Sequence, residues 1–219
     1  MLPWCIAGLL AAAVAVAVRW AVRRTDGLGR PRRFPVVSVA LLVVPACAFA
    51  VPVWRHDRLQ DRLSRAATAL VGHGVEVHCQ TTGEEFVHVG SELGSVAVDE
   101  DGIPERRTVL TGDTCGALQD FLDGHGRRPT PEQVVAVHVL THESRHLAAT
   151  LDEARAECEA VQRDAVTARL LGASAADAHR LARLYWAADY PSMPDAYRSS
   201  DCAPGAAWDE HLPDAPWTR

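Results

Sequence analysis

HESRHLAATLDEARAEC, residues 142–158, sets two histidines four positions apart and follows them with Asp152, Glu153 and Glu157. The segment around it is helical by its local signals. Thr130-Pro131-Glu132-Gln133 offers a capping threonine, a proline in the first turn and a glutamine placed to bond back to the cap. Val134, Val135, Val137 and Leu140 carry an apolar face onward, predicting a helix to about Ala149. A second helix is expected from near Asp152 to Leu171, ended by Gly172. A third is expected from the Ser174 cap through about Trp186.

On such a helix His142 and His146 stand one above the other, so both imidazoles can reach one Zn²⁺. Glu143 beside them can take a proton from water activated by that metal. A catalytic zinc usually has three protein ligands. Reflecting the first helix through a turn near residues 149–151 puts Glu157 level with the interval between His142 and His146, which makes Glu157 the preferred third ligand. Glu153 is the ligand if the hairpin is shifted, or otherwise an acceptor behind the metal. Asp152 fits an HExxHxxGxxD spacing, but that needs a sharp turn at Ala149, and Asp152 also suits a helix N-cap. His138, one turn before His142, reads as a supporting polar residue and not as a ligand.

This stretch resembles the helix–turn–helix of gluzincin-type HExxH zinc metallopeptidases. The resemblance implies that His142 and His146 are ligands and Glu143 the base, with Glu153 and Glu157 matching the acids of the downstream helix. The HExxH…DEAxxEC core, with VHC, MPDAYRS and DEHLPDAPW, is also similar to uncharacterised membrane-anchored proteins of high-GC bacteria, which brings no substrate. HExxH peptidases usually avoid charge at the two middle positions, and this chain has Arg145 there. Arg145 is expected to face solvent or to pair with an acid such as Glu153. The resemblance also implies a tyrosine or histidine that stabilises the oxyanion, with Tyr190, Tyr197, His179 and His211 as candidates.

Upstream lie short β-like runs: VEVHC at 75–79, FVHVG at 86–90, SVAVD at 95–99 and RTVLT at 107–111, with a turn at Asp101-Gly102. They predict a small antiparallel sheet, and an edge strand at 86–98 could hold an extended peptide. A short helix is expected from Asp113 to Leu122, closing at Gly124. Strands followed by helices give an α+β domain over 75–219. Residues 55–74 read as an amphipathic stalk helix, with Leu59, Leu63, Ala66, Ala67 and Leu70 on one face.

Residues 3–18 and 35–54 contain no charged side chain and are of membrane-spanning character. The segment between them carries Arg19, Arg23, Arg24, Arg30, Arg32 and Arg33, which predicts a cytoplasmic loop. Residues 1–54 thus form a transmembrane hairpin in contact with lipid through 3–54, and the rest of the chain is outside the cell membrane. An alternative is an export leader cleaved after Ala50, within the small-x-small run Ala48-Phe49-Ala50. All 22 basic residues are arginine, and residues 55–219 hold 16 of them against 27 acids, a net −11 that argues against a nucleic-acid partner.

Four cysteines fall outside the membrane segments: Cys79, Cys115, Cys158 and Cys202. Export predicts two disulfides, and keeping partners local favours Cys79–Cys115 and Cys158–Cys202 among three connectivities. The expected function is a membrane-anchored extracytoplasmic zinc hydrolase acting on a peptide or protein. The alternative is a non-catalytic module stabilised by zinc and disulfides. Oligomeric state is not legible.

Overall fold

The computed structural model describes residues 2–23, 25, 30–81 and 93–218, and the FVHVG run at 86–90 lies outside them. The chain divides into two compact units, Met1–Arg58 and Leu59–Arg219. Its described elements are seven α-helices and three strands.

In the first unit, α1 (Leu2–Val22) and the N-terminal part of α2 (Val36–Val71) are both long and apolar enough to cross a membrane. Val14, Val18, Val37, Leu41 and Val44 are exposed along them, while Ala13 and Ala46 are buried. Apolar helices with so little of their own surface covered fit a lipid environment. Trp20 closes the connection, its Nε1 donating to the Arg32 carbonyl at 3.1 Å and its ring meeting Phe34 edge-on.

The second unit begins earlier than the expected boundary at residue 75. The segment expected as a free stalk is the C-terminal part of α2, and Leu59, Leu63, Ala66 and Ala67 are buried in the core. Gly72, at φ +84°, ends the helix where a side chain would be strained. The chain then enters β1 (Glu76–Cys79). Three polar residues at helical spacing on α2 bind every second amide from Val75 to the end of β1. Thr68 Oγ1 accepts from Val75 N, Ser64 Oγ from Val77 N and Gln60 Oε1 from Cys79 N, at 3.2, 2.9 and 3.0 Å. This edge of the sheet is therefore closed by side chains.

The strand order is β1-β3-β2, with β2 at Gly94–Val98 and β3 at Pro104–Leu110. β2 and β3 form the expected antiparallel hairpin around Asp99–Ile103, where Asp99 Oδ1 accepts from the Asp101 and Ile103 amides. β1 pairs with β3 in parallel, so the sheet is mixed and not purely antiparallel. The alternation of side chains marks strands but carries no information on neighbours. With one β1 edge taken by α2, its other edge meets the central strand β3, whose Thr108 and Leu110 are fully inaccessible.

Five helices follow the strands, α3 (Gly112–Asp123), α4 (Pro131–Leu147), α5 (Glu153–Val161), α6 (Asp164–Leu170) and α7 (Ala175–Leu184), and α4 packs on β2 and β3. The capping box at α4 forms as expected, with Thr130 and Gln133 bonded reciprocally. The helix expected from Asp152 to Leu171 is instead broken at Gln162–Arg163. Gln162 turns inward there, donating to the Trp208 carbonyl at 2.9 Å and accepting from the Glu210 amide at 2.8 Å. Those partners lie over forty residues away, beyond any local signal. The third helix continues past Leu184 as a π-helical turn, Tyr185–Asp189, and a 3₁₀ turn, Tyr190–Ser192.

Both expected disulfides are present, Cys79–Cys115 tying β1 to α3 and Cys158–Cys202 tying α5 to the C-terminal segment. Leu63, Val77, Leu110, Leu118, Phe121, Val137, Leu140 and Leu181 fill the core between them.

The turn after α4 is tight. Ala149 adopts φ +69°, with Thr150 N bonded to Arg145 O at 3.0 Å and Ala149 N to His146 O at 2.8 Å, the hydrogen-bond pattern of a Schellman cap. A left-handed alanine costs about 1–2 kcal/mol, partly offset by the greater unfolded-state freedom of glycine. Ala149→Gly is accordingly expected to stabilise the unit by about 1 kcal/mol, raising Tm by about 2–4 °C in a thermal melt. A lower Tm would mean that the turn is not held in this conformation.

Candidate metal centre

The motif helix α4 and the following α5 form an antiparallel pair whose turn sets the register of every functional group. His142 and Glu143 are buried, and His146 is half-buried nearer the turn. His146 Nδ1 meets the Thr150 carbonyl at 2.8 Å, and His142 Nδ1 meets Glu157 Oε2 at 3.0 Å. An acceptor at Nδ1 holds the ring proton there and leaves the Nε2 lone pair for another use. Both Nε2 atoms point to one place, 2.9 Å apart. Glu153 Oε2 completes the trio, at 3.1 Å from His142 Nε2 and 3.4 Å from His146 Nε2.

Zinc bonds of about 2.0–2.1 Å at tetrahedral angles separate ligand atoms by about 3.3–3.4 Å. The trio is therefore close to the size of three corners of such a tetrahedron. Two imidazoles and a carboxylate suit zinc and other first-row divalent metals alike. His142, His146 and Glu153 can hold a metal ion, and so, by proximity, can His138, His142 and Glu157. The second group is wholly buried and internally bonded, the first includes the partly exposed Glu153, and both line a cavity of about 890 Å³.

Glu157 thus stands behind His142, and Glu153 takes the place between the two Nε2 atoms. Asp152 serves as the α5 N-cap, its Oδ1 accepting from Arg155 N at 2.8 Å. Arg145 neither faces solvent nor pairs with Glu153. It is buried, and its Nη2 donates to the Leu70 carbonyl at 2.8 Å, where the C-terminal end of α2 has free acceptors. Burial pushes its guanidinium down to about 10, with Arg163 adding to the effect against Glu159 and Glu210.

Behind the trio lies a polar network that sequence reasoning did not assemble. His138 bonds Asp164 Oδ2 through Nδ1 and Glu157 Oε2 through Nε2, each at 3.0 Å, and its ring stacks on Tyr185 at 3.6 Å. Tyr185 donates to Glu157 Oε1 at 2.7 Å. Burial opposes the His138 charge, but the two carboxylates outweigh it and lift the imidazole to about 10. Burial likewise pushes Glu157 up, and the neighbouring His138 and His142 overcome it, holding the carboxyl well below the usual range. His138 was recognisable as a supporting residue by its spacing. Asp164 was not, because the helix break that presents it depends on distant partners.

In the metal-free protein burial lowers His142, yet its hydrogen bonds to Glu153 and Glu157 prevail and lift it to about 9. A metal must expel the Nε2 proton, so affinity is expected to rise with pH up to about 9. Calorimetry in buffers of different ionisation enthalpy should record proton release on zinc uptake. Uptake without release at neutral pH would contradict this site.

The cavity runs along α4, past Val135, His138, Val139, His142 and Glu143, with β2 on one side and the 185–197 segment on the other. Gly94 of β2 lies directly against Glu143. A Cβ there would sit 2.8 Å from Glu143 Cγ and 2.9 Å from Leu110 Cδ2, so only glycine lets the strand pass this close. Of the four candidates for stabilising an oxyanion, Tyr197 alone lines the cavity, its ring 5.9 Å from that of His142. Tyr190 is turned away to Ser199.

Comparison with protein-family models, curated proteins and solved structures returns no match. Any assignment of function therefore rests on the site itself.

Proposed function

We propose that the protein is a zinc-dependent hydrolase, most consistent with a peptidase, held at the cell membrane by α1 and α2 with its second unit on the extracytoplasmic side. The observation that carries this reading is the convergence of His142 Nε2, His146 Nε2 and Glu153 Oε2 within 2.9–3.4 Å at the wall of an open cavity. Three ligands leave a fourth position toward that cavity, which favours a catalytic centre over a purely structural one. The two disulfides and the arginine-rich loop support the extracytoplasmic placement.

When bound, zinc supplies Lewis-acid polarisation of a carbonyl and makes a water more acidic. Glu143, buried between α4 and β2, accepts the proton of the attacking water and passes it to the departing amine. Glu157 keeps the His142 ring in orientation, and the Thr150 carbonyl does the same for His146. β2 is the open edge of the sheet among the described strands, so an extended peptide can pair with its backbone beside the metal. Tyr197, which lines the same cavity, would stabilise the developing oxyanion.

Glu143→Gln is the direct test. The amide keeps the size of the side chain but cannot accept the proton, so zinc content and Tm are expected to hold while cleavage of a peptide library falls by at least about 100-fold. Undiminished cleavage in this variant would remove Glu143 from the mechanism. A wild-type protein that binds zinc but cleaves nothing would favour the non-catalytic module.

A further inference from the structure

The donor set of the trio recurs one helical turn deeper in the α4–α5 pair. His138, His142 and His146 follow one another at intervals of four on α4, and Glu153 and Glu157 do so on the antiparallel α5. His142, His146 and Glu153 are the outer group. One turn along both helices stand His138, His142 and Glu157, an inner group of the same composition. Glu157 Oε2 lies 3.0 Å from His138 Nε2 and 3.0 Å from His142 Nδ1. The groups share His142, which turns Nε2 to the outer one and Nδ1 to the inner one.

The inner donors are braced from behind. Asp164 Oδ2 meets His138 Nδ1 at 3.0 Å, and Tyr185 donates to Glu157 Oε1 at 2.7 Å while its ring stacks on His138. A histidine held by a carboxylate at one nitrogen, with its other nitrogen aimed at further donors, is the arrangement found at metal ligands. Charge points the same way. Asp164 and Glu157 are both buried, and Asp164 Oδ1 accepts no hydrogen bond among the described residues. Buried acceptors left over in this manner draw a cation. His138, His142, Glu157 and Tyr185 all line the cavity, which gives an ion a way in.

We propose that the inner group binds a second divalent cation of the zinc type, joined to the first through the His142 ring. This rests on the zinc reading of the outer trio and not on hydrolysis. Two imidazole nitrogens and a carboxylate oxygen are donors for zinc and its first-row neighbours. The ion enters as the protons on His138 Nε2 and His142 Nδ1 leave, so two positive charges replace two and the buried group keeps its net charge. The outer trio fills first, because the hydrogen bonds among the inner donors must be given up. The inner ion does not meet the substrate; it fastens α4 to α5 behind the outer metal.

The test is zinc stoichiometry of the full-length protein in detergent, dialysed against chelator-buffered zinc and counted by elemental analysis. The wild type is expected to take up two ions per chain in two steps. His138→Gln should lose the second step and keep the first. Glu153→Gln should keep the inner ion alone, and His142→Ala should lose both, the mark of a shared ligand. Copper makes the same test without substitution, whether or not the variants fold. In the wild type the second Cu²⁺ is expected to weaken the paramagnetic resonance of the first, because two ions on one ring are spin-coupled. A resonance that doubles would overturn the proposal. So would one zinc per chain at saturation, or a second that survives both His138→Gln and His142→Ala, an adventitious ion only; either leaves the hydrolase reading standing. Two zinc ions without cleavage of any peptide would sink the hydrolase reading alone. A single zinc lost in His138→Gln but kept in Glu153→Gln would overturn both.

Discussion

Opening both disulfides is expected to unfold the Leu59–Arg219 unit at temperatures where the oxidised protein is folded. Cys79–Cys115 and Cys158–Cys202 close separate loops of 36 and 44 residues in sequence separation. The loss of loop entropy in the unfolded chain makes each worth about 4 kcal/mol. Because the loops neither overlap nor nest, the two contributions add to about 8 kcal/mol, against the roughly 5–15 kcal/mol that holds a typical domain. Circular dichroism melts with and without excess reductant should differ by about 15–30 °C. An unchanged Tm with four free thiols verified by mass would show that the apolar core suffices alone. The second bond begins one residue from Glu157, so metal affinity should fall before helicity does as reduction proceeds.

The second large effect separates two glutamates on one helix. Glu157 is fully buried and accepts from His138, His142 and Tyr185. Glu157→Ala leaves a buried imidazolium short of one counter-ion and a buried hydroxyl without its acceptor, for an expected loss of about 3–5 kcal/mol. Zinc affinity should drop about 10–100-fold, because His142 loses the group that orients it. The Glu153 side chain is 43% exposed, and its removal is expected to change the stability of the metal-free fold by less than about 1 kcal/mol. Its effect on zinc should nonetheless be the larger, since the carboxylate itself leaves the trio. Thermal melts of the metal-free variants and competition against a chromophoric chelator give both quantities. If Glu157→Ala abolishes zinc binding and Glu153→Ala spares it, the roles are reversed and the buried group with His138 is the metal site.

Features set by adjacent residues were legible in the sequence. The Thr130 capping box, the Asp152 cap, the Gly124 end of α3 and the HExxH helix all depend on groups within a turn of one another. Local pairing also anticipated the two disulfides. Which glutamate meets the two Nε2 atoms was readable only to within one helical turn. The left-handed Ala149 and the Asp152 cap together decide which glutamate comes level with the two Nε2 atoms, and no simple pattern announces an alanine in that conformation. The parallel β1–β3 pairing, the break at Gln162 and the inward turn of Arg145 to Leu70 remained hidden for a shared reason. Each is fixed by partners 31 to 75 residues away, and hydrophobic periodicity does not encode them.

The ladder of Gln60, Ser64 and Thr68 along β1 decides where the molecule can be cut. A soluble fragment started at the Gly72–Gly74 turn would keep every described strand and the whole candidate metal centre, yet bare the amides of Val75, Val77 and Cys79 and the core surface covered by Leu59 and Leu63. Such an edge invites strand-to-strand association between copies, and the fragment would be recovered as aggregate. A fragment started just ahead of Leu59 retains the covering helix. For this protein the last three turns of α2 are the first part of the folded unit that must be kept.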